Sequence, residues 1–329
     1  KQVFKHFSKF ERIYTVHLKS EGEFLLESLE STFQLALDTG TEKIHISHLK
    51  TSGKKNWHKI DSVLEIIEKY RQKGLKITAD RYPFIESMTN LSAFLPDPWN
   101  SIDDLTIINM LKSPRNQNKL LEDISACDIK EWQNRRLVWT EITKYHKFCG
   151  LKFPSISHKT EKTIPEICLE LLKDDAPGTL VGSQGMCLRN MRKIIQQDYV
   201  FCGTDESNRP LDYSIGRSHP RGFATAPRFF QELLKSLSIC KAVKRMSTAP
   251  AETFQIKKRG KITVGYYADM VLFSPENFRG TANFANPHRL CTGVEKVWVN
   301  GTLSYDISNP STLVRAGKVL SPLPSITVK

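Results

Sequence analysis

Residues 41–84 constrain the fold most strongly, because two strand patterns there enclose one helix pattern. Residues 43–48 alternate with β-branched side chains and residues 75–79 form a second short apolar run, so both predict strands. Between them, residues 61–73 place their apolar side chains on one face of a helix. Because parallel strands need a connection of this length, the segment predicts a strand–helix–strand unit of a parallel sheet.

A similar unit comes directly before this one. Residues 12–17 predict a short strand that ends on His17, and residues 24–37 predict a helix. His17 and His48 therefore take the same place after consecutive strands, one β/α repeat apart. Either histidine alone could be a hydrogen-bonded strand-end residue, but the paired placement favours two metal ligands. His45 points to the other side of its strand, and we interpret it as structural.

Other polar residues also follow predicted strands, at the edge where α/β barrels carry their chemistry. Lys50 follows the strand of His48, and Tyr82 follows residues 75–79. Asp205 comes after an apolar run, residues 199–202, and a glycine. An acid at a strand end can serve as a general base or a metal ligand, although turn and helix-capping aspartates are common.

The remaining patterns are weaker and predict a mixture of elements. From about residue 246 the chain becomes β-rich, with a hairpin pattern at Asn300-Gly301. We therefore predict two domains, residues 1–245 and 246–329. Within the first of these domains we expect helices at 103–123, 163–172 and 186–197 and strands at 137–142 and 179–182. We also expect a lid-like apolar loop at 91–99, and a loop at 218–228 before a helix from Phe229.

Composition excludes several classes of protein. No apolar run approaches 18 residues, so no membrane span is predicted. The seven cysteines are odd in number and form no C-x-x-C pair, which favours a reducing, cytoplasmic location over a disulfide framework. The net charge is +13, but the 48 Lys and Arg residues are scattered. Nucleic acid is therefore a disfavoured partner, and a basic binding module stays an alternative.

Several motifs in a fixed order carry a family resemblance over most of 12–92 and 199–302. The chain resembles the C-terminal two-thirds of the N-acyl-D-amino-acid deacylases (D-aminoacylases) of the amidohydrolase superfamily. The motifs are Thr15-Val-His17-Leu-Lys-Ser-Glu-Gly22, Ile46-Ser-His48-Leu-Lys50, Asp80-Arg-Tyr82-Pro, Gly203-Thr-Asp205, His219-Pro-Arg221 with Pro227-Arg228, and Arg259-Gly-Lys-Ile-Thr-Val-Gly265 with Ala268-Asp269.

The resemblance implies an α/β fold: the second half of a (β/α)₈ TIM-type barrel with part of a flanking β-sandwich. It also implies hydrolysis of N-acyl-D-amino acids, small-molecule substrates, with one or two zinc ions. His17 and His48 would be metal ligands, and Asp205 would be the catalytic base. The substrate-binding residues would be Lys50, Tyr82 and Ser87.

The chain departs from the family pattern in ways that leave alternatives open. The family carries a His-x-His pair and an upstream cysteine ligand, whereas this chain has no His-x-His and no cysteine before Cys127. Glu206 follows Asp205 where glycine is usual. We expect the isolated chain to lack the first barrel strands, to be poorly soluble or partly unfolded, and to lack deacylase activity even with added zinc. The alternatives are a truncated or decayed non-catalytic homologue and another cyclic-amide amidohydrolase, such as a hydantoinase or dihydroorotase relative.

Overall fold

The computed structural model describes residues 2–7, 12–309 and 314–320. The strands are β1 (Tyr14–Val16), β2 (Lys43–Ile46), β3 (Lys76–Arg81), β4 (Ser87–Asn90), β5 (Arg135–Trp139), β6 (Leu180–Ser183), β7 (Val200–Cys202), β8 (Met270–Phe273), β9 (Val294–Val299) and β10 (Thr302–Asp306). The α-helices are α1 (Gln2–Phe7), α2 (Leu25–Thr39), α3 (Ile60–Gln72), α4 (Asp104–Met110), α5 (Pro114–Ser125), α6 (Ile129–Trp132), α7 (Phe153–Thr160), α8 (Ile164–Asp175), α9 (Leu188–Ile195), α10 (Arg221–Leu233), α11 (Ile239–Val243) and α12 (Ala249–Thr253). Short 3₁₀ turns cover Lys54–Lys59, Leu91–Phe94, Trp99–Ser101 and Thr143–Phe148, and a π-helical turn covers Lys244–Thr248.

A four-stranded parallel sheet lies at the centre of the fold, in the order β1-β2-β3-β7. The predicted strand–helix–strand unit is confirmed, since β2 pairs in parallel with β3 across α3. Strand β2 ends at Ile46, two residues before the predicted end, and His48 has a positive φ of 40°. Among the described residues β1 and β7 are the edges of this sheet, and its assignment to the second half of a (β/α)₈ barrel stays a prediction.

Helices α2 and α3 cover one face of the parallel sheet. Leu29 and Phe33 of α2 and Ile67 of α3 are fully buried in one cluster with Ile44 and Ile46 of β2. Burying an aliphatic or aromatic side chain of this size stabilises the fold by roughly 1.5–3 kcal/mol. The 3.6-residue periodicity in the sequence therefore marks the faces that hold these helices on the sheet.

A second layer contains the antiparallel sheet β4-β6-β5 together with α4, α5, α7 and α8. The predicted lid at residues 91–99 belongs to this layer. Leu91, Leu95 and Trp99 are buried in its hydrophobic core rather than poised over a site. The lid prediction is wrong, because the apolar residues at both ends of this segment, in and next to two short 3₁₀ turns, are anchored in that core.

The loop predicted at residues 218–228 is also wrong from Arg221 onward. Helix α10 begins at Arg221, and Pro227 lies inside it. Proline removes one helical hydrogen bond and normally disfavours a helix interior. Here Phe229, Phe230 and Leu233 bury the helix in an apolar cluster, so tertiary packing outweighs that local preference.

The C-terminal segment forms the antiparallel sheet β10-β9-β8. Asn300 and Gly301 connect β9 to β10 with φ values of 51° and 81°. Two positive φ values are what a two-residue type I′ hairpin requires, so the predicted hairpin is confirmed. The domain boundary at residue 246 and the sandwich stay predictions.

In the part of the chain that the structure describes, no helix is both long and apolar enough to cross a membrane. All seven cysteines are free.

Candidate metal centre

His17 and His48 face each other at the carboxyl ends of neighbouring parallel strands. Strand β1 pairs with β2 up to Val16 and Ile46, so the residues that follow are brought side by side. His17 Nδ1 lies 2.9 Å from His48 Nε2, and the ring centroids are 4.7 Å apart. Two nitrogen ligands of one zinc ion lie within roughly 4 Å of each other. The structure therefore brings the two predicted ligands together.

Glu21 completes this group, and the sequence analysis missed it. Its Oε1 lies 2.8 Å from His48 Nδ1. His17, Glu21 and His48 each offer a ligand atom within 4.8 Å of the others, and they are the one such group found among the described residues. The sequence sign was its place four residues after His17 and ahead of α2, within the Thr15–Gly22 motif, to which we gave no role for Glu21.

Lys50 contacts the same carboxylate. Its Nζ forms an ion pair with Glu21 Oε1 and lies 2.8 Å from His48 Nδ1. Burial opposes ionisation of Glu21, but hydrogen bonds and charges from His48 and Lys50 lower its pKa to about 2. Glu21 is therefore an anion at neutral pH, and the lysine predicted to bind substrate is its partner.

Asp80 supports the backbone on which His48 lies. Its Oδ1 accepts a hydrogen bond from the His48 backbone N–H at 3.0 Å, and its Oδ2 lies 2.9 Å from His45 Nε2. The other His45 nitrogen lies 2.8 Å from Thr78 Oγ1. His48 adopts a left-handed conformation that non-glycine residues seldom occupy. These bonds hold that conformation, and they agree with the structural interpretation of His45.

Asp205 lies just beyond β7 and pairs with a cation. Its Oδ2 is 2.9 Å from Arg221 Nη1, and it is not part of the His17–Glu21–His48 group. The neighbouring Glu206 is buried, with its Oε2 3.8 Å from Arg221 Nε. Burial raises the pKa of Glu206, while Arg221 opposes that rise. The structure thus gives the predicted base a positively charged partner that the sequence analysis did not assign.

The two remaining predicted substrate residues lie in different surroundings. Tyr82 is fully buried, and the guanidinium carbons of Arg81 and Arg221 lie 4.2 and 4.7 Å from its ring centroid. Burial lowers the pKa of Arg81. Ser87 opens β4 opposite Ser183 of β6, so it belongs to the antiparallel sheet.

The donor set fits a zinc ion. Imidazole nitrogens are established ligands of catalytic zinc sites, and carboxylates occur both as ligands and as partners of ligating histidines. The two imidazoles are therefore donors of the right type at a sheet edge, with the Glu21 carboxylate beside them.

Three proteins of Alcaligenes xylosoxydans xylosoxydans are similar to 94% of this chain. They are an N-acyl-D-glutamate deacylase, 24% identical over 314 residues; a D-aminoacylase, 25% identical over 312; and an N-acyl-D-aspartate deacylase, 23% identical over 319. The chain is homologous to the N-acyl-D-amino-acid deacylases. This D-aminoacylase homologue spans about half the length of each, 53–54%. No family model matches the chain.

Solved structures show the same fold relationship for the D-aminoacylase homologue. A D-aminoacylase crystal structure, described as defining a novel subset of amidohydrolases, has a TM-score of 0.65 at 24% identity and covers 90% of this chain and 53% of that one. The N-acyl-D-glutamate deacylase of Bordetella bronchiseptica, complexed with zinc and a phosphonate inhibitor, has a TM-score of 0.66 at 21% identity, with 89% and 53% coverage. The mixed α/β fold is therefore that of about half a D-aminoacylase.

Proposed function

We propose that this protein is a zinc-dependent hydrolase that cleaves the amide bond of N-acyl-D-amino acids. The observation that carries the proposal is the 2.9 Å approach of His17 Nδ1 and His48 Nε2 at adjacent strand ends. Homology to deacylases of this substrate class supports it. A bound zinc ion would polarise the amide carbonyl and activate water. His17 and His48 would hold it, with one or two ions in the complete protein.

Asp205 is the proposed general base. It follows β7, which belongs to the same parallel sheet as β1 and β2, so its carboxylate shares their sheet edge. A carboxylate there can take a proton from water and return it to the leaving amine. The ion pair with Arg221 keeps Asp205 in place.

Lys50, Tyr82 and Ser87 are the proposed substrate-binding residues. An ammonium group can bind the carboxylate of an N-acyl amino acid through charge-assisted hydrogen bonds. Lys50 would transfer one of its hydrogen bonds from Glu21 to the substrate, since an ammonium has three donors. Tyr82, beside the two guanidinium groups, and Ser87 would complete the contacts.

The same proposal extends to the architecture and the location. The four parallel strands would be the second half of an eight-stranded barrel, and β8–β10 would be part of a β-sandwich that begins near residue 246. The free cysteines are compatible with the cytoplasmic location that the sequence predicts.

A second candidate is a non-catalytic homologue that has lost its metal chemistry. It is favoured by the sequence, which holds no His-x-His pair, and by the direct pairing of Lys50 with Glu21. In that case the His17–His48 pair would be a structural hydrogen bond, and neither zinc nor substrate would bind.

The test compares hydrolysis of N-acetyl-D-amino acids with that of their L-enantiomers, with and without zinc. Both the 329-residue chain and the protein purified from its source are assayed. We expect zinc-dependent, D-selective release of the amino acid by the protein from its source, and loss of turnover with retained zinc in Asp205→Asn. Absence of D-selective hydrolysis in the source protein would favour the non-catalytic candidate.

A further inference from the structure

We propose that Glu21 is a positioning residue that fixes the tautomer of His48, so that His48 Nε2 keeps its lone pair for the metal. The proposal rests on the proposed function in one respect, the assignment of His48 as a ligand. It adds a role for Glu21, which the sequence analysis did not single out.

The two nitrogens of the His48 ring face different partners. Nε2 lies 2.9 Å from His17 Nδ1, whereas Nδ1 lies 2.8 Å from Glu21 Oε1. A neutral imidazole carries one proton, on one nitrogen or the other. With the proton on Nδ1, His48 donates a charge-assisted bond to the carboxylate, and in the metal-free protein its Nε2 lone pair accepts from His17 Nδ1–H. With the proton on Nε2, the Nδ1 lone pair would face an anionic oxygen at 2.8 Å.

Lys50 is the one competing donor near Nδ1 that the described residues provide. Its Nζ lies 2.8 Å from His48 Nδ1 and also contacts Glu21 Oε1. The ammonium is a rotor with three protons, so it can direct its donors to the carboxylate. The carboxylate oxygen can only accept a hydrogen bond, so it would repel an unprotonated Nδ1 that faces it. The arrangement in which Glu21 accepts from both neighbours therefore satisfies all three groups best.

The same geometry indicates that Glu21 positions His48 and does not itself bind the metal. Oε1 approaches His48 at Nδ1, the nitrogen that does not face His17, and Lys50 already uses that oxygen. Ligating histidines typically donate their second ring N–H to a carboxylate, which fixes the ring and raises its basicity. Glu21 matches that pattern at His48.

The backbone holds Glu21 ready for this contact. Its carbonyl accepts a hydrogen bond from Ser52 N–H at 2.7 Å. The next residue, Gly22, allows a close approach, because a Cβ there would lie 3.2 Å from the Ser52 carbonyl oxygen. The carboxylate is thus pre-positioned by the segment that follows His48, not by side-chain contacts alone.

The test is long-range ¹H–¹⁵N correlation spectroscopy of the metal-free, ¹⁵N-histidine-labelled chain, with zinc affinity measured in parallel. His48→Gln identifies the His48 signals by their loss. We expect a protonated Nδ1 and an unprotonated Nε2 in the wild type. Glu21→Ala should lose that preference and weaken zinc binding by about 10–100-fold. Glu21→Gln keeps an acceptor oxygen and should retain the tautomer with a smaller loss of affinity.

Glu23→Ala is the matched control, since Glu23 is exposed and pairs with Lys55 at 3.1 Å. It should change neither the tautomer nor zinc affinity. A wild-type His48 protonated on Nε2, or an Nδ1–H tautomer that persists in Glu21→Ala, would overturn the proposal. Loss of zinc in Glu21→Gln as complete as in His17→Ala would also overturn it, by making Glu21 a ligand. A chain with the expected tautomer but no zinc binding would support the positioning contact and refute the proposed function.

Discussion

His17 and His48 are 31 residues apart in sequence, and their facing ring nitrogens are 2.9 Å apart in the fold. The register of β1 against β2 produces this approach, because each histidine follows its strand by one or two residues. The proposed metal site depends on that pair, and the proposed positioning role depends on the carboxylate of Glu21 beside it.

Removing either imidazole should weaken zinc binding strongly. We expect His17→Ala and His48→Ala each to lower zinc affinity by on the order of 100-fold or more, since each removes a ligand rather than a supporting group. Competition against a zinc-binding dye measures the affinities. His58→Ala is the control, because His58 is exposed in the Lys54–Lys59 turn. An equal loss in His58→Ala would show that the effect is not local to the pair.

Gly203 is predicted to tolerate no side chain. A Cβ at this position would lie 2.6 Å from Asp80 Cγ, and Asp80 holds the His48 backbone. Gly203→Ala should therefore cost about 1–3 kcal/mol of unfolding free energy and also weaken zinc binding. Urea unfolding measures the first effect. Gly317→Ala is the control, since nothing lies within 4 Å of its Cβ position; unchanged stability in Gly203→Ala would contradict the packing described.

The sequence predicts the parallel sheet and the histidine pair because both depend on local periodicity. A strand–helix–strand pattern of this length indicates that the two strands pair in parallel. The placement of His17 and His48 at neighbouring strand ends follows from that pairing. Glu21 could not be assigned in this way. Its contact with His48 depends on how the chain turns between β1 and α2, and no periodicity encodes that turn.

Two further failures have the same tertiary origin. Pro227 suggests a loop, but α10 already begins at Arg221. The burial of Phe229 and Phe230 stabilises this helix despite the proline. Leu95 and Trp99 suggest a lid, but both are buried in a hydrophobic core formed with helices that lie farther along the chain. In both cases packing against residues far along the chain decides a question that the local sequence leaves open.

Glu170 should give the protein a measurable acid sensitivity away from the metal centre. Burial opposes its ionisation, but bonds from Lys144, Lys162 and Tyr145 lower its pKa from 4.5 to about 2. Because the folded pKa is the lower one, its stabilisation is complete above pH 4.5 and is lost as the pH falls toward 2. At pH 7 we expect Glu170→Gln to cost about 1–3 kcal/mol, with the difference vanishing toward pH 2.

Chemical denaturation of both proteins between pH 2 and pH 7 measures this difference. Glu161→Gln is the comparison, since it removes a carboxylate that is exposed at the end of α7. A Glu170→Gln penalty that is independent of pH would show that the ion pairs are not its source.

Thr163 should stabilise α8 through its capping box. Its side chain accepts a bond from Glu166 N–H, while the Glu166 carboxylate accepts from Thr163 N–H at 2.7 Å. Thr163→Ala should cost about 1 kcal/mol in thermal or urea unfolding. Ser113 precedes α5 without a side-chain capping bond, so Ser113→Ala should cost only a few tenths of a kcal/mol. Equal costs would exclude the capping explanation.

Zinc K-edge X-ray absorption spectroscopy of the chain with one equivalent of zinc tests the metal centre most directly. We expect zinc to be surrounded by nitrogen and oxygen ligands at about 2.0–2.2 Å, with outer-shell scattering from two imidazole rings. Both imidazole contributions should disappear in the His17→Ala, His48→Ala double variant. A zinc shell without imidazole scattering in the wild type, or the same spectrum in the double variant, would rule out His17 and His48 as the zinc ligands.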